Sequence, residues 1–145
     1  MAYKSRFRPV NKAKYVGDIS DVICRSLWER ALAKWADRNS DVVEWGMEYV
    51  IIPYYDKGNG KRRRYFTDFY FRFSDGVKMI VEVKPNAQTK APRKRKKTVK
   101  YLKEIQTFAT NTSKWDAARA YCHSHGWKFQ IWTEHHLRKL GLKIL

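Results

Sequence analysis

Acidic residues are scarce in this chain: 14 Asp and Glu stand against 31 Lys and Arg in 145 residues, a formal charge of +17. An imbalance of that size points to a polyanionic partner, with nucleic acid first and an anionic membrane surface second. Long apolar runs are missing, as is a long basic amphipathic helix, so no membrane association is expected. The opening MAYKSRFRPVNKAKY has positive charge but no apolar stretch, and no signal peptide is expected. Two cysteines, Cys24 and Cys122, cannot make a disulfide framework, which sets an intracellular, reducing environment as the expectation. Both fall in helical patterns and read as small core residues. There is no CxxC, and His123, His125, His135 and His136 contain no i,i+4 pair, which removes a helical zinc site. There is no GxSxG, and DKGNGKRRR lacks the Lys-Ser/Thr ending of a phosphate-binding loop, so serine hydrolases and P-loop enzymes are excluded.

What is present is enough to fold. A hydrophobic content of 43%, with 15% aromatics, excludes a disordered chain, and 145 residues suit one domain with a real core. Residues 1–17 are basic and aperiodic, broken by Pro9 and Gly17. They predict an extended arm, lying on the domain or touching a phosphate backbone, ahead of a single domain over residues 18–145.

Helical spacing of Ile19, Ile23, Leu27, Ala31 and Trp35 predicts a helix over Asp18–Arg38, capped by Asp18 or Ser20 and carrying Glu29 off its apolar stripe. Val42–Tyr55 reads as extended, broken at Gly46, with Glu44 and Glu48 on a polar face. A long hairpin follows, with Gly58-Asn59-Gly60 at its tip. Thr98–Ala109 and Lys114–Ser124 predict two helices, restarted at Asn111-Thr112-Ser113. Trp127–Trp132 alternates as a strand, and Thr133 caps a short last helix.

The stretch YFTDFYFRFSDGVKMIVEVK, Tyr65–Lys84, reads as two strands around the turn residues Ser74-Asp75-Gly76. With Phe73 and Val77 as the last pair before the turn, Asp68 falls opposite Glu82. Opposed side chains on antiparallel strands stand roughly 4.5–5.5 Å apart, so two carboxylates there repel, and a divalent cation between them removes the penalty. Alternation puts Lys84 on the face of Glu82 and turns Val81 and Val83 away. Lys61–Arg64 and Arg93–Lys97 flank this stretch as basic segments suited to phosphate.

The order of a helix with Glu29, strands with Asp68 and then Glu82-Val83-Lys84, helices and a further strand resembles the PD-(D/E)xK nuclease superfamily. Thr67 stands where the family's name has proline. The segments SLWERALAKWAD, DVVEW, YFTDFYF, VEVKP and GWKFQIWTE resemble its TnsA-like branch, and most closely the head-completion nucleases of tailed bacteriophages. The resemblance implies an α/β restriction-endonuclease-like core, a mixed central β-sheet flanked by helices. It implies a Mg²⁺-dependent deoxyribonuclease, with Mn²⁺ able to substitute. Glu29, Asp68, Glu82 and Lys84 would be catalytic. Glu29, Asp68, Glu82 and the carbonyl of Val83 would be metal ligands. Lys61, Arg62, Arg63, Arg64, Arg93, Lys94, Arg95, Lys96 and Lys97 would hold DNA. Phage head or portal components are implied as further partners, with the host cytoplasm during assembly, or the virion head, as the location. The rival expectation is a non-catalytic DNA-binding head-completion protein. A basic RNA-binding protein explains the charge but not the clustered acids.

Overall fold

The structure is a computed structural model that describes residues 3–144; residues 1 and 2 of the expected arm, and residue 145, lie outside the described residues. In chain order the elements are β1 (Ser5–Arg6), β2 (Ile23–Cys24), α1 (Leu27–Arg38), β3 (Val42–Met47), β4 (Ile51–Asp56), β5 (Lys61–Phe66), β6 (Phe69–Phe73), β7 (Lys78–Val83), α2 (Val99–His125), β8 (Lys128–Trp132) and α3 (Glu134–Lys139). The central sheet has the order β3-β6-β7-β8. Its first two pairings are antiparallel, whereas β8 runs parallel to β7 after the long crossover through α2. This is the mixed α/β sheet with flanking helices that the resemblance implies.

Phe69, Tyr70 and Phe71 are buried in succession because β6 is covered on both faces. On one face, Leu32, Ala33 and Ala36 of α1 pack with Trp45, Phe69, Phe71, Val81 and Trp132. On the other, Ala118 and Cys122 of α2 pack with Tyr70, Ile80 and the inner side of the β4–β5 hairpin, Ile52, Tyr54 and Tyr65. The site is built at the edge of this second layer.

Helix α1 starts later than the i,i+4 pattern predicts. Ser26, not Asp18 or Ser20, is its N-cap, accepting from the Glu29 N–H at 3.1 Å. Asp18 instead holds a local turn through the N–H and hydroxyl of Ser20. Ile23 and Cys24 form a strand on Ser5-Arg6, so Cys24 is a strand residue rather than a helical one. Leu27 is consequently 62% exposed instead of lying in the core. The N-terminal segment lies on the domain. Phe7 is buried, Val16 bonds to the Trp45 carbonyl, and Lys14 Nζ donates to the carbonyls of Ala36, Asp37 and Asn39 at the end of α1.

Two further boundaries differ from expectation. The break between β3 and β4 falls at Glu48, whose φ of 51° is left-handed, and not at Gly46. Gly46 lies inside β3, where an added Cβ would meet Val16 at 2.8 Å. The two helices expected after the basic loop are one, α2. Its polar triplet does not cap a new start, because Thr112 and Ser113 donate their hydroxyls back to the Ala109 carbonyl. Gly126, in the left-handed conformation, ends it.

Candidate active site

The strand expected over Tyr65–Phe73 is two strands. Their junction, Thr67-Asp68, is where the chain leaves the β4–β5 hairpin and enters the central sheet. Thr67 is fully buried; its N–H and its hydroxyl both donate to the Val50 carbonyl, at 3.2 and 2.8 Å. A proline here would lose both bonds, which accounts physically for the threonine.

The β6–β7 register runs from Arg72↔Lys78 to Phe69↔Val81, with the Phe73 N–H on the Val77 carbonyl at 2.9 Å. Asp75 accepts from the Val77 N–H and Gly76 takes a φ of 89°, so the turn chemistry sets the register. Continued one step, that register sets Asp68 against Glu82. Asp68 Oδ2 accepts from the Val83 N–H at 2.8 Å. Burial, then the charge of Glu82, then that of Glu29, push the Asp68 carboxyl well above the usual carboxylate range.

Glu82 is 5% exposed and better supplied. The Tyr65 hydroxyl donates to Oε1 at 2.6 Å, Trp115 Nε1 donates to Oε2 at 3.2 Å, and Lys84 Nζ stands 3.6 Å from Oε2. Burial, Glu82 and Asp68 push the Tyr65 phenol upward, so it stays a donor. Tyr65 and Trp115 are site residues that the sequence reading passed over. Tyr65 sits in the strand just before Asp68, whereas Trp115 reads as an ordinary core aromatic.

Glu29, third in α1, is half-buried and accepts from the Arg25 N–H at 3.1 Å. Burial raises its pKa, and the nearby charges of Glu48 and Glu82 add to this. Glu48, assigned above only to a polar face, is an acidic neighbour of the site, paired with Arg25 at 2.9 Å on a left-handed backbone. Among the described residues, no three His, Cys, Asp or Glu side chains are arranged to hold a metal ion. Glu29 thus contributes its field to the pair without closing a three-carboxylate set. The two carboxylates by themselves fit Mg²⁺, which is bound by one or two carboxylates and keeps several waters.

The basic segments are divided by the fold. Lys61, Arg62, Arg63 and Arg64 lie on β5, exposed, but Arg63 is tied to buried Asp56 at 3.1 Å. Arg64 lies over Phe66. Arg93, Lys94, Arg95, Lys96 and Lys97 are exposed on the loop before α2, with Arg95 paired to Glu104 at 3.1 Å and stacked over Tyr101.

Residues 39–134 match the family model described as the TnsA-like endonuclease N terminal domain. The chain belongs to the TnsA-like endonuclease family. It is also 38% identical to the "Head completion nuclease" of Enterobacteria phage T4 over 148 aligned positions, covering 99% of this chain and 99% of that protein. The family match spans Asp68, Glu82, Lys84 and both basic segments, and Glu29 lies ahead of it. Among the described residues, no helix is long and apolar enough to cross a membrane.

Proposed function

We propose that this TnsA-like endonuclease is a metal-dependent deoxyribonuclease of the PD-(D/E)xK type, hydrolysing phosphodiester bonds in DNA. The observation that carries the reading is the pair Asp68 and Glu82. These acids are adjacent and mutually repelling, with a lysine beside them, in a protein of charge +17. A protein that only binds DNA gains nothing from gathering negative charge against a polyanion.

Asp68 and Glu82 would hold Mg²⁺, or Mn²⁺ in its place, with the Val83 carbonyl available as a further ligand. When bound, the ion supplies the Lewis acid and lowers the pKa of water enough to make a nucleophile near neutral pH. Tyr65 and Trp115 fix the Glu82 carboxylate so that its position does not depend on the ion. Lys84, ion-paired with Glu82, would position the attacking water and balance charge growing on the phosphoryl oxygens. Glu29 orients that water or takes part in a second metal site. Lys61, Arg62 and Arg64 on β5 and Arg93–Lys97 on the loop hold the DNA backbone, which positions the scissile bond without reading sequence. Arg63, already paired with Asp56, contributes least of these. By likeness to the phage T4 protein, the setting is completion of phage heads, in the host cytoplasm during assembly or in the virion head, with head or portal components as partners.

A plasmid-cleavage assay with Mg²⁺ or Mn²⁺ tests this. The wild type should cut, Asp68→Asn should lose nearly all activity, and Lys84→Ala should lose on the order of 10²–10³-fold. Cleavage by Asp68→Asn at the wild-type rate would leave a non-catalytic DNA-binding head protein as the better account.

A further inference from the structure

A second basic feature lies away from the acid pair. Arg30, Lys34 and Arg38 recur every four residues along α1, and the N-terminal segment brings Arg6 and Arg8 against them around a concave pocket of about 480 Å³. At about 100° per residue, these three stand about 100°, 140° and 180° around the helix from Glu29. The pocket therefore opens on the far side of α1 from the acids.

Its charge is predominantly positive, five cations against one acid in the lining. The one acid in its wall, Asp37, is 1% exposed and is spent on the N–H groups of Val10 and Asn11, at 2.8 and 3.2 Å. No acid is ion-paired with any of the five cations among the described residues. The pocket is also pre-shaped. The Arg30 guanidinium donates to Ser5 Oγ and the Arg6 carbonyl at 3.3 and 3.2 Å and lies over Phe7, which holds the segment bearing Arg6 and Arg8 in place. Four of the five cations are arginines, whose planar forks match phosphate oxygens in a bidentate manner.

We propose that this pocket is a second clamp for the DNA phosphate backbone, holding a part of the nucleic acid beyond the segment presented to Asp68 and Glu82. The proposal rests on the nuclease reading for the identity of its polyanion. The clamp is separated from the acids by the width of α1, about 10–12 Å with side chains, and faces another direction. Because the clamp faces away from the acids, a short straight duplex seated on the acid face does not turn onto it, whereas a longer, bent or branched one does.

The test measures the salt dependence of binding, in metal-free buffer, to duplexes of about 8 and about 40 base pairs, where each neutralised phosphate adds about 0.9 to the slope. Asp68→Asn is the background throughout, so the outcome does not depend on whether the acid pair cuts DNA. Arg8→Gln, Lys34→Gln and Arg38→Gln are combined, leaving Arg30 to hold the segment; Lys34→Gln with Arg38→Gln, both on an exposed helix face, serves if the triple change lowers the melting temperature. The unsubstituted background should show a steeper slope on the long duplex, by about 2–3, and the combined variant should lose that excess so that its two slopes converge. An unchanged long-duplex slope, or an equal fall on both lengths, would overturn the second clamp. So would a pocket that takes up poly-glutamate while the long-duplex slope stays the same.

Discussion

Two aspartates, Asp56 at the tip of the β4–β5 hairpin and Asp68 at the start of β6, are treated in opposite ways by the fold. Burial works to raise the Asp56 pKa, but its hydrogen bonds outweigh it and the net shift is downward. Donors come from the N–H groups of Gly58 and Asn59, the Asn59 amide, the Thr110 hydroxyl and the Arg63 guanidinium. Asp68 has one backbone donor and two acids for neighbours, and its pKa is pushed up. One carboxylate is there to hold a hairpin on α2. The other is left under-compensated, as a functional site is and a structural one is not. On the proposed reading, electrostatics separates a stabilising acid from a working acid where residue type does not and where the more buried of the two is the stabilising one.

The sharpest way to break that comparison is Asp56→Ala. It strands several donors at once and frees the hairpin tip, so the melting temperature should fall by roughly 10 °C. A shift of only a degree or two would mean that Asp56 is no clamp. Thr67→Pro, at the junction of the two regions, removes both bonds to Val50. It should cost about 1–3 kcal/mol in chemical denaturation and lower cleavage, because Asp68 is the next residue. Unchanged stability would show that the motif's proline is tolerated here and that the threonine needs another explanation. Leu27→Ala should be the mildest, within about 0.5 kcal/mol, because Leu27 faces solvent before Glu29. A loss of several kcal/mol would put Leu27 back in the core that helical periodicity predicts.

Much of the site is legible because it is local. The Ser74-Asp75-Gly76 turn sets the β6–β7 register, the register brings Asp68 to Glu82, and alternation puts Lys84 beside Glu82. The order of strands and helices follows in outline from periodicity and turn residues, whereas the mixed α/β architecture is implied by the family resemblance. What is hidden depends on contacts far apart in sequence. Ile19, Ile23 and Leu27 mimic a helical stripe, yet Ile23-Cys24 pairs with Ser5-Arg6, a partner that spacing cannot reveal. Asn111-Thr112-Ser113 looks like a cap, yet its hydroxyls are satisfied within the helix. Trp115 reaches Glu82 only once the crossover helix has folded over the sheet.

The central claim, that Asp68 and Glu82 are an under-compensated pair awaiting a cation, is tested most directly by melting wild type and Asp68→Asn across pH, with and without Mn²⁺. Because the folded pKa of Asp68 is raised, its contribution to stability is complete below the unfolded value of about 3.9 and is lost as pH rises through the folded value. Metal-free Asp68→Asn should therefore melt at or above the wild type at neutral pH, by up to a few degrees, with the gap closing as pH falls toward about 4. Mn²⁺ should raise the wild-type melting temperature and leave the mutant nearly unmoved. A mutant that melts well below the metal-free wild type at neutral pH, with Mn²⁺ shifting both alike, would contradict the account.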